Sequence, residues 1–276
     1  MIRDIVVNLS FPPIRDVAGD FAVSIATAFN AHVAGIAFLY DPVPPKVYLG
    51  SVPPALIETI RSEHENEAGK VVAEFDHLAR RAGVSAESRV VNANFVSASD
   101  SFGRIARQFD LSVVGQAEPN RLALEELIIE AALFDSGRPV IVVPYIQKDG
   151  LKLDRIMICW DGSRNAVRAI ADAMPFLRRS KAIELVIVAN DFGKDDEIPG
   201  ADIAQHLARH GLNLVLKRIV RPGLDVGNAL LSHAADASID FIVMGAYGHS
   251  RLREFILGGA TRGILGAMTI PTLMSH

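Results

Sequence analysis

Residues 240–274 read DFIVMGAYGHSRLREFILGGATRGILGAMTIPTLM, and the parsing of this run decides the fold. Phe241 to Met244 is short, apolar and partly β-branched, which predicts a buried strand. Gly245 and Gly248 follow at once, and Gly258 and Gly259 come after the gap 249–257, in the spacing Gly-x2-Gly-x9-Gly. From Thr261 the apolar spacing turns helical, and 272–274 closes the run as another strand. Glycine lets a backbone approach a ligand closely. A Gly-rich turn between a strand and a helix N-terminus also offers backbone N–H groups to an anion. Taken alone, the same loop also reads as a plain turn.

Outward from this run the chain keeps one rhythm. Strands are expected at 5–7, 33–39, 87–91, 111–114 and 139–143, then at 155–159, 184–189, 214–220, 241–244 and 272–274. Helices separate them: one capped by Asp16, a long one over 56–82 stopped by Gly83, one capped by Ser97 or Ser99 running to about Phe109, and one over 122–133. The second set follows Ser163 to Arg179, then covers 201–210 and 225–237, and ends with the helix from Thr261. Strand–helix alternation of this kind predicts a parallel α/β sheet. The segments 41–54, rich in proline, and 191–200 read as loops.

The rhythm is also an internal repeat. DLSVVG at 110–115 lines up with DFIVMG at 240–245, and RPVIV at 138–142 with IPTLM at 270–274. The polar stretch QKDG at 147–150 falls between the copies, so two domains are expected, 1–147 and 151–276. With 276 residues, each is large enough to bury its own core.

Composition bounds the function. A formal net charge of -4 gives no overall attraction for nucleic acid or an anionic membrane. Cys159 is the one cysteine, so an internal disulfide is excluded, and it reads as a buried strand residue. No apolar run reaches the ~18 residues of a membrane span, and Arg3 and Asp4 lead directly into a strand rather than into a signal-peptide core. A cytoplasmic protein is expected.

The loop spacing resembles the signature of the universal stress protein family, Gly-x2-Gly-x9-Gly-(Ser/Thr), placed after the fourth strand of a five-stranded domain. Gly245, Gly248 and Gly258 match; Gly259 stands where the family has Ser or Thr, and Thr261 matches a second hydroxyl position. The resemblance implies two tandem, open, mainly parallel five-stranded sheets with helices on both faces, Rossmann-like and similar to adenine nucleotide alpha hydrolases. They would be arranged as a pseudo-dimer in which 139–143 pairs with 272–274. It also implies a stress-response protein that holds ATP or a related adenine nucleotide in its second domain, with or without Mg2+.

Asp161-Gly162-Ser163 matches the family's Asp-x-Ser turn, where the Asp meets the ribose; by local sequence alone it reads equally as a helix cap. The resemblance places Val188 or its neighbour Ala189 against the adenine and Met244 beside the base or ribose. The backbone of Gly258, Gly259, Ala260 and Thr261 would meet the phosphates. His249 and Arg251 in the gap read either as phosphate partners or as a solvated loop face, and Arg262 opposes the dipole of its helix.

The first half lacks this equipment: Asn8 stands where Asp161 stands, and Glu118 where Gly248 stands. No nucleotide is expected there. No general base and no lysine serve the loop, so turnover would be at most slow ATP hydrolysis. A ligand-free scaffold is the alternative to nucleotide binding, and self-pairing of two copies fits either reading. His206 and His210 have a metal-binding spacing on a helix but no further ligand nearby in sequence.

Overall fold

The computed structural model describes residues 1–11, 15–40, 54–117, 122–189, 200–220, 225–246 and 259–276. The first half runs β1 (Asp4–Asn8), α1 (Val17–Phe29), β2 (His32–Tyr40), α2 (Pro54–Ala82), β3 (Ala86–Ala93), α3 (Phe95–Ala106), β4 (Leu111–Gly115), α4 (Leu122–Phe134) and β5 (Val140–Val143). The second half follows the same order: β6 (Arg155–Cys159), α5 (Arg164–Leu177), β7 (Ala182–Ala189), α6 (Ala201–Arg209), β8 (Leu214–Val220), α7 (Val226–Asp236), β9 (Phe241–Gly245), α8 (Gly259–Ala267) and β10 (Thr272–Ser275). Every expected strand is present within two residues of its expected ends. Most of segments 41–54 and 191–200 lies outside the described residues.

The α/β class with helices on both faces holds, but the sheet count differs. The strands form one ten-stranded sheet in the order β3-β2-β1-β4-β5-β10-β9-β6-β7-β8. Neighbours are parallel except at the centre, where β5 and β10 run antiparallel with Ile141 opposite Leu273. Both strands are buried throughout, and each would otherwise be an open apolar edge. The expected pairing of 139–143 with 272–274 therefore fuses two sheets into one. The outer edges are β3 and β8, where exposed Glu87, Arg89 and Lys217 place charge along the rim.

Alternation of side chains across the sheet builds two core layers, each continuous through both halves. Ile5, Val7, Ile158 and Leu273 pack under α1, α2, α5 and α6. Val6, Val140, Ile242 and Met244 pack under α3, α4, α7 and α8. In the first layer α1 and α5 meet directly: Phe29 stands edge-on to Phe176 at 5.0 Å, and the Arg179 guanidinium lies 4.0 Å from the Phe29 ring centre. The stretch after β5 returns over α1, where the Leu151 N–H donates to Ser24 Oγ at 2.8 Å.

Three helix starts differ from expectation, and one of them is α2, which begins at Pro54, two residues before the expected 56. Neither Ser97 nor Ser99 begins α3. Asn94 Oδ1 accepts from the Ser97 N–H at 2.8 Å, and Ser97 Oγ accepts from the Asn94 N–H at 2.9 Å. This reciprocal cap starts the helix at Phe95, with Ser97 as the returning partner. The helix ends at Ala106 rather than near Phe109. Helix α8 begins at Gly259, two residues before Thr261. Among the described residues no helix is long and apolar enough to cross a membrane.

Candidate functional site

In the second half the chain moves outward from β6 through β7 to β8, then crosses back to β9. The carboxyl ends of β6 and β9 therefore flank a switch point, where open α/β sheets admit ligands. Cys159 at the end of β6 sits opposite Met244 on one side and Val186 on the other. The Trp160 N–H extends the ladder to the Val186 carbonyl at 2.9 Å.

Asp161 stands just beyond this ladder and is exposed. Its Oδ1 accepts from the Ser163 N–H at 2.9 Å, closing a tight turn over Gly162, whose φ of 76° suits glycine. The capping role falls to Ser163, whose Oγ accepts from the Ala166 N–H at 3.1 Å at the start of α5. The two local readings of Asp161 are thus separated: it shapes the turn and presents a surface carboxylate, while its neighbour caps the helix.

On the β9 side, Met244 is buried in the second core layer. Val188 on β7 is half-buried against the same layer, paired with Ile219. Both therefore lie on the sheet face covered by α7 and α8. Gly245 is fixed by packing. A Cβ there would lie 2.5 Å from the Ala166 nitrogen and 2.6 Å from the Asn165 carbonyl carbon, both backbone. The next residue is tied to the same helix turn, because Asn165 Nδ2 donates to the Ala246 carbonyl at 2.6 Å. The root of the glycine loop is thereby clasped to the amino end of α5.

Gly248, Gly258, His249 and Arg251 lie outside the described residues. On the far side of the loop, Gly259 opens α8, exposed and with open space about its Cα; Ala260 is half-buried and Thr261 buried. Their N–H groups belong to the first turn, which has no intrahelical acceptors for them. Arg262 is exposed. Burial, then the charge of Asp161, pushes the Cys159 thiol up to about 12, so it stays protonated and unreactive at neutral pH.

His206 and His210 face each other with ring centres 4.7 Å apart, but among the described residues no three metal-ligating side chains converge. At the opposite strand ends, buried Glu184 accepts from Arg155 and from His233 Nε2, both at 2.9 Å, tying β6, β7 and α7 together. Sequence reading had singled out neither this trio nor Asn165, because their partners lie far along the chain.

The first half has the same switch point between β1 and β4, furnished differently. Asn8 ends β1, and Ser10 follows it. Gln116, buried after Gly115, donates from Nε2 to the Leu265 carbonyl of α8 at 2.8 Å. Glu118 lies outside the described residues.

The fold defines an open α/β protein with a switch point at the carboxyl strand ends of each half. Residues 152–276 match the sequence model of the Universal stress protein family. A universal stress protein of Synechocystis sp. is 23% identical over 240 residues, covering 82% of this chain and 79% of the relative. The crystal structure of a universal stress protein from Archaeoglobus fulgidus DSM 4304 superposes with a TM-score of 0.70 at 15% identity, over 99% of this chain and 95% of that one. A functionally unknown protein from Pseudomonas aeruginosa PAO1 follows at 0.61 and 12%, over 99% and 92%. Residues 152–276 thus carry a domain of the Universal stress protein family.

Proposed function

We propose that this stress-response protein binds ATP or a related adenine nucleotide in a domain formed by 151–276. What supports this reading is that exposed Asp161 follows β6, the apolar pair Val188 and Met244 stands near the carboxyl ends of β7 and β9 on one sheet face, and Gly259 opens α8. Asp161 would accept from the ribose hydroxyls, and Val188 and Met244 would wall the base. Backbone N–H groups of Gly259, Ala260 and Thr261 would meet the phosphates, with Gly245, Gly248 and Gly258 giving the loop its close approach. No protein cage for Mg2+ is found among the described residues, so a bound Mg2+ would rest chiefly on the phosphates. The domain formed by 1–147 would take no nucleotide by this route. The β5 and β10 edges are used within the chain, so a homodimer would form on another surface.

Equilibrium titration with ATP tests the reading. Saturable binding below millimolar is expected, lost in Gly248→Glu, which puts a carboxylate where phosphate should lie. No saturable binding, or equal binding by the variant, contradicts it.

A further inference from the structure

The first half carries a polar hollow of its own. It lies at the β1/β4 switch point, and its walls include Asn8, Ser10, Gln116 and Glu125 beside apolar Val17 and Ile128. Its room is about 20 Å³, enough for one water-sized group. Glu125 Oε2 is buried and, among the described residues, has no hydrogen-bond partner. A carboxylate oxygen withdrawn from water without a donor costs a full desolvation penalty, so an orphan of this kind marks a missing partner.

The chemistry of that partner follows from what the walls already spend. Gln116 spends one Nε2 N–H on Leu265, and its Oε1 accepts from the Tyr145 N–H at 3.3 Å. The unmet valence at Glu125 is an acceptor's, so the guest must donate. The surrounding field favours a cation: α4 reads LALEELIIEAALF, with Glu125, Glu126 and Glu130 and no basic residue. Burial, and behind it the charge of Glu125, raises the Tyr40 phenol above its ordinary range. Among the described residues no three carboxylate, thiol or imidazole groups gather here or elsewhere, which disfavours a divalent metal. With room for the head group alone, an alkyl stem would lie toward the open side of the hollow.

We propose that this hollow receives the ammonium end of a primary alkylamine, with Glu125 Oε2 as its hydrogen-bonding counter-charge. The two halves then differ in sign, a cation-accepting pocket in the first and the proposed phosphate-accepting ground in the second. The inference stands apart from nucleotide binding, since none of its residues belongs to that site.

The test uses the full chain with 13C-labelled glutamate side chains, titrated with n-butylammonium chloride and followed by NMR. The Glu125 carboxyl resonance, assigned by its loss in Glu125→Gln, should shift saturably. Tetramethylammonium chloride and potassium chloride at equal ionic strength should leave it in place, since neither carries an N–H donor. Ser10→Met, which fills the hollow and keeps Glu125, should abolish the shift and serves if Glu125→Gln fails to fold. A shift given equally by tetramethylammonium or potassium, a shift retained in Ser10→Met, or no saturable shift because the hollow holds water only, would overturn the proposal.

Discussion

Gln116 reaches from the first half to the last turn of α8 and donates its side-chain amide to the Leu265 carbonyl, 149 positions away. Carbonyls in a last helical turn lack intrahelical partners, so Gln116 caps from one half the helix whose other end opens onto the glycine loop. Gln116→Ala strands the Leu265 carbonyl and the Tyr145 N–H together. Chemical denaturation should show a loss of about 1–3 kcal/mol; an unchanged midpoint would mean water replaces the amide without cost.

The glycines of the loop should part company when mutated. Gly245→Ala drives a methyl group into the backbone of α5, and overpacking of this kind costs about 1–3 kcal/mol. Gly259 meets nothing within 4 Å, so Gly259→Ala should leave thermal stability unchanged or slightly raise it. Gly259→Ser restores the hydroxyl that the family signature has there. It should tighten ATP binding by about 1 kcal/mol, roughly fivefold, in a titration. Equal thermal midpoints for Gly245→Ala and Gly259→Ala would refute the packing role.

The fold was legible because period and repeat are local facts. FIVMG and LSVVG carry their strands in their own side chains, and the matched RPVIV and IPTLM runs even pointed to the seam between β5 and β10. Whatever depends on distant partners was not legible. That Gly245 must be glycine is decided by Ala166, and that Gln116 is a cap is decided by Leu265. The Asn94–Ser97 cap was missed by one turn because Ser97 is itself a good capping residue. Of the elements that carry Asp161, Val188, Met244 and Gly259, the ends of β6, β7 and β9 were legible to within a residue. The clasp between Asn165 and Ala246 that holds the loop root could not.

Acid should weaken the molecule through Glu184. Burial opposes its ionisation, but hydrogen bonds from His233 and Arg155 outweigh that and hold the carboxyl below its ordinary 4.5. A depressed carboxyl stabilises the fold above its unfolded pKa, and the contribution is lost as pH falls through the folded one. Denaturation of wild type against Glu184→Gln should give a gap of about 1–3 kcal/mol at neutral pH, closing as the pH falls below the ordinary 4.5 and through the lowered folded value. A gap that does not change with pH would remove the ion-pair account.

The antiparallel seam makes a prediction about association. A chain of residues 151–276 alone would bare the β10 edge that β5 now covers, so it should dimerise through that strand in sedimentation. A folded monomer across the concentration range would show that the edge needs no partner.

The central claim is one nucleotide site per chain, built on the second half. Calorimetric titration with ATP, repeated on Asp161→Ala and on Asn8→Ala, the equivalent position in the first half, tests it most directly. One ATP per chain, weakened at least tenfold by Asp161→Ala (about 1.4 kcal/mol) and unchanged by Asn8→Ala, is the expected result. Two ATP per chain, or binding that Asn8→Ala abolishes and Asp161→Ala leaves intact, would contradict it.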